Sequence, residues 1–347
     1  MNVLDLRSDT VTLPSKEMLD SITSAELGDD VFGEDPTVNQ LQRLVAERFG
    51  AEASLLVPSG TMANLVSVMT HCRRGDEVIV EQDAHIYYYE VGGLSAIAGT
   101  IPRWIKGDMG IYTAQQLRDT VRAPDLHLPP TTLVSIENTH NRAGGTVWTP
   151  KQVEEVAKTA HDLGAKVHID GARIFNACVA LDVSPREYMR HVDSISFCLS
   201  KSLSCPVGSL IVSDADFISK ARKNRKILGG GMRQAGVIAA PGIVALNRMV
   251  DRLKEDHDNA KMLAKGLLRI EGIAIDMRTV QTNIVVADVS GLGMGSAQAK
   301  DKLKAAGILV TTFGPRTIRM VTHYGIGPDD IEEALVRLGG CFGRNKR

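Results

Sequence analysis

The sequence has few of the features that mark secreted or membrane-bound chains. Only 4% of its 347 residues are aromatic, and its five cysteines are widely scattered, with no Cys-x-x-Cys pair. An odd number of scattered cysteines is typical of free thiols in a reducing compartment. No apolar stretch approaches the ~20 residues that span a bilayer, and the first residues lack the apolar core of a signal peptide. We therefore expect a cytoplasmic protein.

Neither sign of charge dominates the chain. Its 40 lysines and arginines face 41 aspartates and glutamates, which gives a formal net charge of −1. Proteins that bind nucleic acid or an anionic membrane usually carry a clear basic excess. The balance argues against both partners and favours a small-molecule ligand. With 44% hydrophobic residues, the chain is long enough to bury a large core.

Strand-like and helix-like stretches alternate from about residue 37 to 245, which predicts an α/β fold with a mostly parallel sheet between helices. The expected strands are 54–57, 77–80, 132–137, 165–169, 194–198 and 208–212. A long helix is predicted over about 235–256, followed by a smaller α+β unit with strands at 282–287, 307–311 and 317–321. We predict a large domain over residues 16–245 and a small domain formed by residues 1–15 and 246–347.

Lys201 is the most informative residue of the chain. It follows the apolar strand-like stretch Ile195–Leu199 and precedes a run of small residues that leaves room for a bulky group. A lysine at the mouth of an apolar strand is poorly placed to solubilise the protein and well placed to act as a Schiff-base amine. The alternative is an ordinary solvated lysine near a strand end.

Asp170 stands at the end of another buried strand, where open α/β sheets bind their ligands. A strand-end carboxylate combined with a strand-end lysine fits pyridoxal phosphate. The amine binds the cofactor aldehyde, and the carboxylate keeps the pyridine nitrogen protonated, so that the ring accepts electrons. His168 faces the same way as Asp170, but no third ligand stands at a recognisable spacing, so no metal site is predicted.

A phosphate-binding turn is predicted at Ser59-Gly60-Thr61, directly after the strand 54–57. Gly60 allows a tight turn, and the following helix begins with free N–H groups that favour an anion. Ser59 and Thr61 add hydroxyl donors. On its own, the same pattern is also an ordinary helix N-cap.

Several segments together resemble the L-threonine aldolases of bacteria, which belong to the aspartate-aminotransferase-like, fold type I group of pyridoxal phosphate enzymes. These segments are 6–12, 28–37, 59–61, 84–87, 137–141, 170–173, 200–201 and 229–234. They follow the family's order over nearly the whole chain. The resemblance implies a pyridoxal phosphate-dependent lyase that cleaves L-threonine and L-allo-threonine to glycine and acetaldehyde.

The resemblance also implies roles for single residues. The catalytic set is Lys201, Asp170, His85, which stacks on the cofactor ring, and His127, which lies near the hydroxyl-bearing carbon. A structural aromatic cluster with Tyr87–Tyr89 is the alternative for His85. The base that takes the hydroxyl proton is left open between His85, His127 and a water between them.

The remaining roles concern binding. The cofactor contacts implied by the resemblance are Ser59, Gly60, Thr61, His85, Asp170, Arg173, Ser200, Lys201 and, from a neighbouring subunit, Arg233. The substrate carboxylate is assigned to Ser8, Arg173 and Arg319. A surface ion pair is the alternative for each of these two arginines. Active sites shared between subunits imply a homotetramer, arranged as a dimer of dimers.

Three positions depart from the family pattern: Ser202 stands in place of a glycine, Cys205 in place of a smaller residue and Phe32 in place of a tyrosine. None of them removes a predicted catalytic group. Other activities of the same fold, such as a phenylserine aldolase, a β-eliminating lyase or a racemase, share these motifs. A catalytically silent binding protein is a more distant alternative. The preference between threonine diastereomers is not predicted.

Overall fold

The computed structural model describes residues 3–343. The strands are β1 (Leu4–Asp5), β2 (Ala53–Val57), β3 (Glu77–Glu81), β4 (Ile101–Ile105), β5 (Thr131–Glu137), β6 (Lys166–Asp170), β7 (Ser194–Cys198), β8 (Ser209–Ser213), β9 (Ile284–Asp288), β10 (Ile308–Leu309), β11 (Thr311–Thr312) and β12 (Thr317–Val321).

The helices lie between and after these strands. They are α1 (Lys16–Thr23), α2 (Pro36–Phe49), α3 (Gly60–His71), α4 (His85–Tyr88), α5 (Gly93–Ala96), α6 (Ala114–Thr120), α7 (Pro150–Asp162), α8 (Ile174–Leu181), α9 (Arg186–Met189), α10 (Ala215–Ile227), α11 (Gly236–Arg248), α12 (Leu253–Leu267), α13 (Ser296–Ala305) and α14 (Pro328–Phe342). No helix within residues 3–343 is both long and apolar enough to cross a bilayer.

The central sheet has the strand order β2-β8-β7-β6-β5-β3-β4. The neighbours from β7 to β4 are all parallel, whereas β8 runs antiparallel to both β2 and β7. Helices and a buried apolar cluster enclose the sheet. The predicted α/β class with a mostly parallel sheet is therefore confirmed.

Three features of the fold differ from the sequence prediction. The single strand predicted over 307–311 is two short strands, β10 and β11, which pair with β1 and β12 respectively. The edge strand β4 was missed, because Pro102, Arg103 and a half-exposed Trp104 interrupt its apolar pattern. The single helix predicted over 235–256 was wrong, since the chain turns after Arg248 and restarts at Leu253. The turn is needed because α11 packs on α1 and α2, whereas α12 packs on α8 and α14.

A second apolar cluster forms around the antiparallel sheet β11-β12-β9 and the helices α12, α13 and α14. The N-terminal segment joins this cluster, because β1 pairs in parallel with β10 and Leu4 and Leu6 are buried there. Beyond β1, the chain turns towards the carboxyl edge of the central sheet. The division at residues 15 and 245 stays a prediction.

The carboxyl edge of the central sheet collects the polar side chains. Glu137 ends β5 and pairs in register with Asp170, which ends β6, and Asp170 pairs with Ser196 in β7. Because these three strands are parallel neighbours, the residues that follow β7 come close to Asp170. Lys201 is one of them.

Candidate active site

Lys201 lies in a tight turn between β7 and β8. The turn is closed by two backbone hydrogen bonds, from Ser204 N–H to the Lys201 carbonyl at 2.8 Å and from Cys205 N–H to the Leu199 carbonyl at 3.1 Å. The lysine is half-buried, and its charge acts on both Asp9 and His85. The amine is therefore held among ionisable groups, which argues against the solvated-lysine alternative.

Asp170 is buried and fixed by two donors. Its Oδ2 accepts from the Asn64 amide at 2.8 Å, and its Oδ1 accepts from the Ala172 N–H at 3.1 Å. Asn64 is held in turn, since its Oδ1 accepts from Ser196 Oγ at 2.9 Å and from His168 Nε2 at 3.3 Å. Sequence reasoning missed Asn64, although a polar residue on the buried face of an apolar helix was a detectable signal.

His85 begins the short helix α4 next to Asp170. Its backbone N–H donates to Glu137 Oε2 at 2.6 Å, and its ring Nδ1 lies 2.9 Å from Glu90 Oε1. Burial alone would lower the pKa of His85, but the hydrogen bond to Glu90 and the charge of Asp170 outweigh it and raise that pKa. The contact of its ring with Tyr89, with centroids 5.5 Å apart, is compatible with both predicted readings of His85.

The turn at residues 59–61 forms the beginning of α3. Ser59 is the N-cap, and its Oγ accepts from Met62 N–H at 3.2 Å. A Cβ at position 60 would lie 2.7 Å from Cys198 Sγ, so the backbone can approach β7 closely only because glycine stands there. The buried hydroxyl of Ser209 lies 3.7 Å from the same point and has no partner within residues 3–343. Free N–H groups and hydroxyls at this turn suit a phosphate.

Arg173 forms a buried two-point ion pair with Asp9. Its Nε and Nη2 donate to the two carboxylate oxygens, each at 2.6 Å. Asp9 Oδ2 also accepts from Ser202 Oγ at 2.7 Å and from Asn283 Nδ2 at 3.3 Å. The alternative of a surface ion pair for Arg173 is thus wrong, because both side chains of the pair are buried. The serine that departs from the family pattern contributes a hydrogen bond to Asp9.

Arg319, in β12, is buried and close enough to Arg173 for their charges to interact. Its Nη1 donates to Asn141 Oδ1 at 2.6 Å and its Nη2 to the Arg7 carbonyl at 3.0 Å, while its Nε has no partner within residues 3–343. Burial and the positive charge of Arg173 lower the pKa of Arg319 to about 10. Asp9 is the only carboxylate bonded directly to either guanidinium within residues 3–343, so this region favours a further anion.

The other predicted binding residues occupy different surroundings. Ser8 precedes Asp9, and its Oγ accepts from Thr10 N–H at 3.2 Å. Ser200 is half-buried beside Lys201. Arg233 is exposed, and its guanidinium contacts Asp29 at 3.1 Å. Phe32 is also exposed.

His127 is not brought to this site by its own chain. It is exposed in the loop before β5, at the amino end of the strand whose carboxyl end carries Glu137. The strand separates the two ends by six residue steps, which is about 20 Å. The predicted role of His127 therefore depends on a neighbouring subunit and stays a prediction.

His85, Glu90 and Asp170 each offer a ligand atom, and these atoms lie within 4.8 Å of one another, a spacing that could hold a metal ion. The Asn64 amide, however, points its N–H groups at both carboxylates, at 2.9 Å from Glu90 and 2.8 Å from Asp170. A donor aimed at the same oxygens disfavours a cation there. The two carboxylates therefore suit the protonated nitrogen of a pyridine ring better than a metal ion.

The residues present fit pyridoxal phosphate. A lysine and a buried carboxylate lie at the ends of adjacent parallel strands, and a helix N-terminus with a required glycine lies beside them. The two buried arginines, Arg173 paired with Asp9 and Arg319 close to both, add positive charge that suits an anion. An amine, a pyridine partner, a phosphate site and a carboxylate site are thus all at one edge of the sheet.

Comparison with known proteins agrees with this arrangement. The model of the beta-eliminating lyase family matches residues 5–290. The chain is 45% identical over 347 residues to a probable low-specificity L-threonine aldolase 2 of Arabidopsis thaliana, covering 99% of this chain and 97% of that protein. It is 40% identical over 343 residues to the low specificity L-threonine aldolase of Escherichia coli (strain K12), covering 99% and 100%.

Solved structures show the same fold. A threonine aldolase from Leishmania major superposes with a TM-score of 0.85 at 18% identity, over 98% of this chain and 100% of that chain. A serine palmitoyltransferase from Sphingomonas wittichii superposes with a TM-score of 0.77 at 18% identity, over 98% and 87%. At these identities the likeness concerns the fold alone.

Proposed function

This chain belongs to the beta-eliminating lyase family and to its low-specificity L-threonine aldolases, and on that premise we propose how its own residues perform the reaction. It is a pyridoxal phosphate-dependent carbon–carbon lyase, an aldehyde-lyase that converts L-threonine and L-allo-threonine to glycine and acetaldehyde. The observation that carries the proposal is that Asp170 and Lys201 follow adjacent parallel strands at one edge of the central sheet, with the buried Arg173 and Arg319 close to each other nearby.

The cofactor would be held by residues that already have the required chemistry. Lys201 would supply the amine, Asp170 would pair with the pyridine nitrogen, and the turn at 59–61 would receive the phosphate. His85 would contact the ring. When bound, pyridoxal phosphate supplies an electron-withdrawing ring that accepts the electron pair released at the substrate Cα.

Arg173 and Arg319, with Ser8, orient the substrate through its carboxylate. Two buried guanidiniums against the single carboxylate of Asp9 leave a positive charge that a substrate carboxylate balances. Holding the substrate at this end would fix which Cα bond is aligned for cleavage. Orientation of the Cα–Cβ bond then favours cleavage over other reactions of the same fold.

Cleavage also requires a proton acceptor at the β-hydroxyl. The hydroxyl proton passes to the base, the O–H electrons form the aldehyde C=O bond, and the Cα–Cβ electron pair remains on Cα until a proton returns there to give glycine. His85 is the histidine that its own chain holds beside Asp170. His127 of a neighbouring subunit, or a water between the two imidazoles, is the alternative base.

The finer sequence predictions stay predictions. These are the homotetramer with shared active sites, the contact of Arg233 across subunits, the place of His127 near the hydroxyl-bearing carbon, the cytoplasmic location and the roles in threonine breakdown and glycine formation. Light scattering of the holoenzyme would test the assembly. A tetramer supports shared sites, and an active monomer contradicts them.

The reaction itself is tested by incubating the purified holoenzyme with L-threonine, L-allo-threonine and phenylserine. We expect each threonine diastereomer to give one molecule of glycine for every molecule of acetaldehyde. A strong preference for phenylserine would indicate a phenylserine aldolase, and pyruvate and ammonia from serine would indicate a β-eliminating lyase. A coloured protein without any product would indicate a silent binding protein.

A further inference from the structure

Glu90 is a buried carboxylate that the sequence motifs do not single out. It follows the Tyr87–Tyr89 run, between α4 and α5, and only 4% of its side chain is exposed. The His85 side chain is 31% exposed. The pair is therefore oriented with the carboxylate inside and the imidazole towards the cleft.

We propose that Glu90 is a positioning residue that holds His85 in the tautomer able to accept the substrate hydroxyl proton, an inference that rests on the proposed aldolase function. The contact joins His85 Nδ1 and Glu90 Oε1 at 2.9 Å. When Nδ1 carries the proton and donates a hydrogen bond to the carboxylate, Nε2 has a free lone pair that can face the cleft.

Hydrogen bonds around the pair leave little freedom for another arrangement. Glu90 Oε1 also accepts from Asn64 Nδ2 at 2.9 Å, so this oxygen serves as an acceptor on both sides. The second N–H of the same amide donates to Asp170 Oδ2 at 2.8 Å. The backbone of His85 is fixed separately by Glu137. The Asn64 amide thus links the carboxylate of Glu90 to the carboxylate of Asp170.

The charges that face His85 explain how Glu90 affects proton transfer. Glu90, Asp170 and Glu137 act to raise the pKa of His85, whereas burial and Lys201 act to lower it. Burial and the neighbouring Asp170 raise the pKa of Glu90 itself. Glu90 contributes the closest negative charge and stabilises the imidazolium that forms when the hydroxyl proton arrives.

The test is the pH dependence of kcat/KM for the holoenzyme with Glu90→Gln. Glutamine keeps the shape and an acceptor oxygen but removes the charge. We expect the acid limb of the profile to move to lower pH, because the nearest charge that favours protonated His85 is lost. At the optimum, kcat/KM should fall roughly 10-fold or more. An acid limb that stays in place would overturn the proposal.

Glu81→Gln provides a matched control. Glu81 is also a buried carboxylate, and its Oε2 lies 2.9 Å from a ring nitrogen of the buried His140, the same distance as in the Glu90 pair. No side-chain hydrogen bond or ion pair joins Glu81 to His85 within residues 3–343. Loss of a buried glutamate–histidine charge pair should therefore leave the acid limb in place, and an equal shift in both variants would contradict a specific role for Glu90.

A double-mutant cycle separates action through His85 from a general structural effect. In a His85→Asn background, Glu90→Gln should produce no further loss of kcat/KM, because the imidazole that it positions is gone. Independent, multiplicative losses would overturn the proposal. Thermal melting and cofactor absorbance verify that each variant is folded and loaded. Wild-type enzyme that fails to cleave threonine refutes the proposed function instead, which keeps the two failures distinct.

Discussion

Arg173 and Asp9 meet as a buried two-point ion pair, although 164 residues separate them in the sequence. The pair ties the N-terminal segment, which is also joined to β10, to the carboxyl edge of the central sheet. It therefore connects the second apolar cluster to the candidate active site. Several expected outcomes depend on this connection.

Replacing Asp9 with Asn should destabilise the protein by about 3 kcal/mol, because it leaves the buried Arg173 guanidinium without a counter-charge. Thermal or denaturant unfolding of the two proteins measures this loss. Asn283→Ala is a milder comparison, since it removes no charge. It deletes the amide that donates to Asp9 Oδ2 at 3.3 Å, to Ser202 Oγ at 3.2 Å and to the Thr322 carbonyl at 3.1 Å. Equal stability of wild type and Asp9→Asn would contradict the claim that the Arg173–Asp9 ion pair stabilises the fold.

The contribution of Asp9 to stability should also depend on pH. Burial works against ionisation, but the charges of Arg173 and Lys201 outweigh it and hold the pKa of Asp9 well below its usual range. A depressed folded-state pKa gives stability that is fully present above the unfolded value of ~3.9 and is lost as the pH falls below it. The difference in unfolding free energy between wild type and Asp9→Asn should therefore shrink as the pH is lowered below about 4.

Gly60→Ala should weaken cofactor binding. The added methyl group would meet Cys198 Sγ at 2.7 Å and displace the turn that receives the phosphate. We expect roughly a 10-fold rise in the Kd of pyridoxal phosphate, measured by absorbance titration of the apoenzyme, which corresponds to about 1.4 kcal/mol. Removing the sulfur with Cys198→Ala in the same chain should recover much of the affinity. No recovery would mean that the close approach is not the cause.

Arg319→Gln should raise KM much more than it lowers kcat. The side chain is predicted to bind the substrate carboxylate equally in the ground state and the transition state, so its loss weakens binding uniformly. A buried charged hydrogen bond contributes about 1.5–3 kcal/mol, which corresponds to roughly a 10- to 150-fold change. Steady-state kinetics with L-threonine measure the split. A loss confined to kcat would place Arg319 elsewhere in the mechanism.

Much of the fold was readable in the sequence because its strands are short apolar runs bounded by turn residues. The strands at 194–198 and 317–321 were predicted with the bounds that the structure shows. An aspartate N-cap followed by proline is a readable helix start, and at the start of α2 Asp35 Oδ1 accepts from Val38 N–H at 2.9 Å. Edge strand β4 was missed because apolar and polar residues do not alternate along it.

The candidate site was only partly readable. Lys201 and Asp170 could be predicted because a charged residue at the end of a buried strand has few structural explanations. Asp9, Asn64 and Glu90 were missed as functional residues, since their importance comes from contacts across the fold. Each contact joins residues that are distant in sequence or separated by a turn, such as Asn64 and Asp170, which are 106 positions apart.

The central claim is that the Lys201 amine binds pyridoxal phosphate opposite Asp170. Borohydride reduction of the holoenzyme, followed by peptide mapping with mass spectrometry, tests it most directly. The account predicts a phosphopyridoxyl group on Lys201 in the peptide that follows β7, and no labelling after Lys201→Ala. A phosphopyridoxyl group on a different lysine, or an unlabelled holoenzyme, would contradict it.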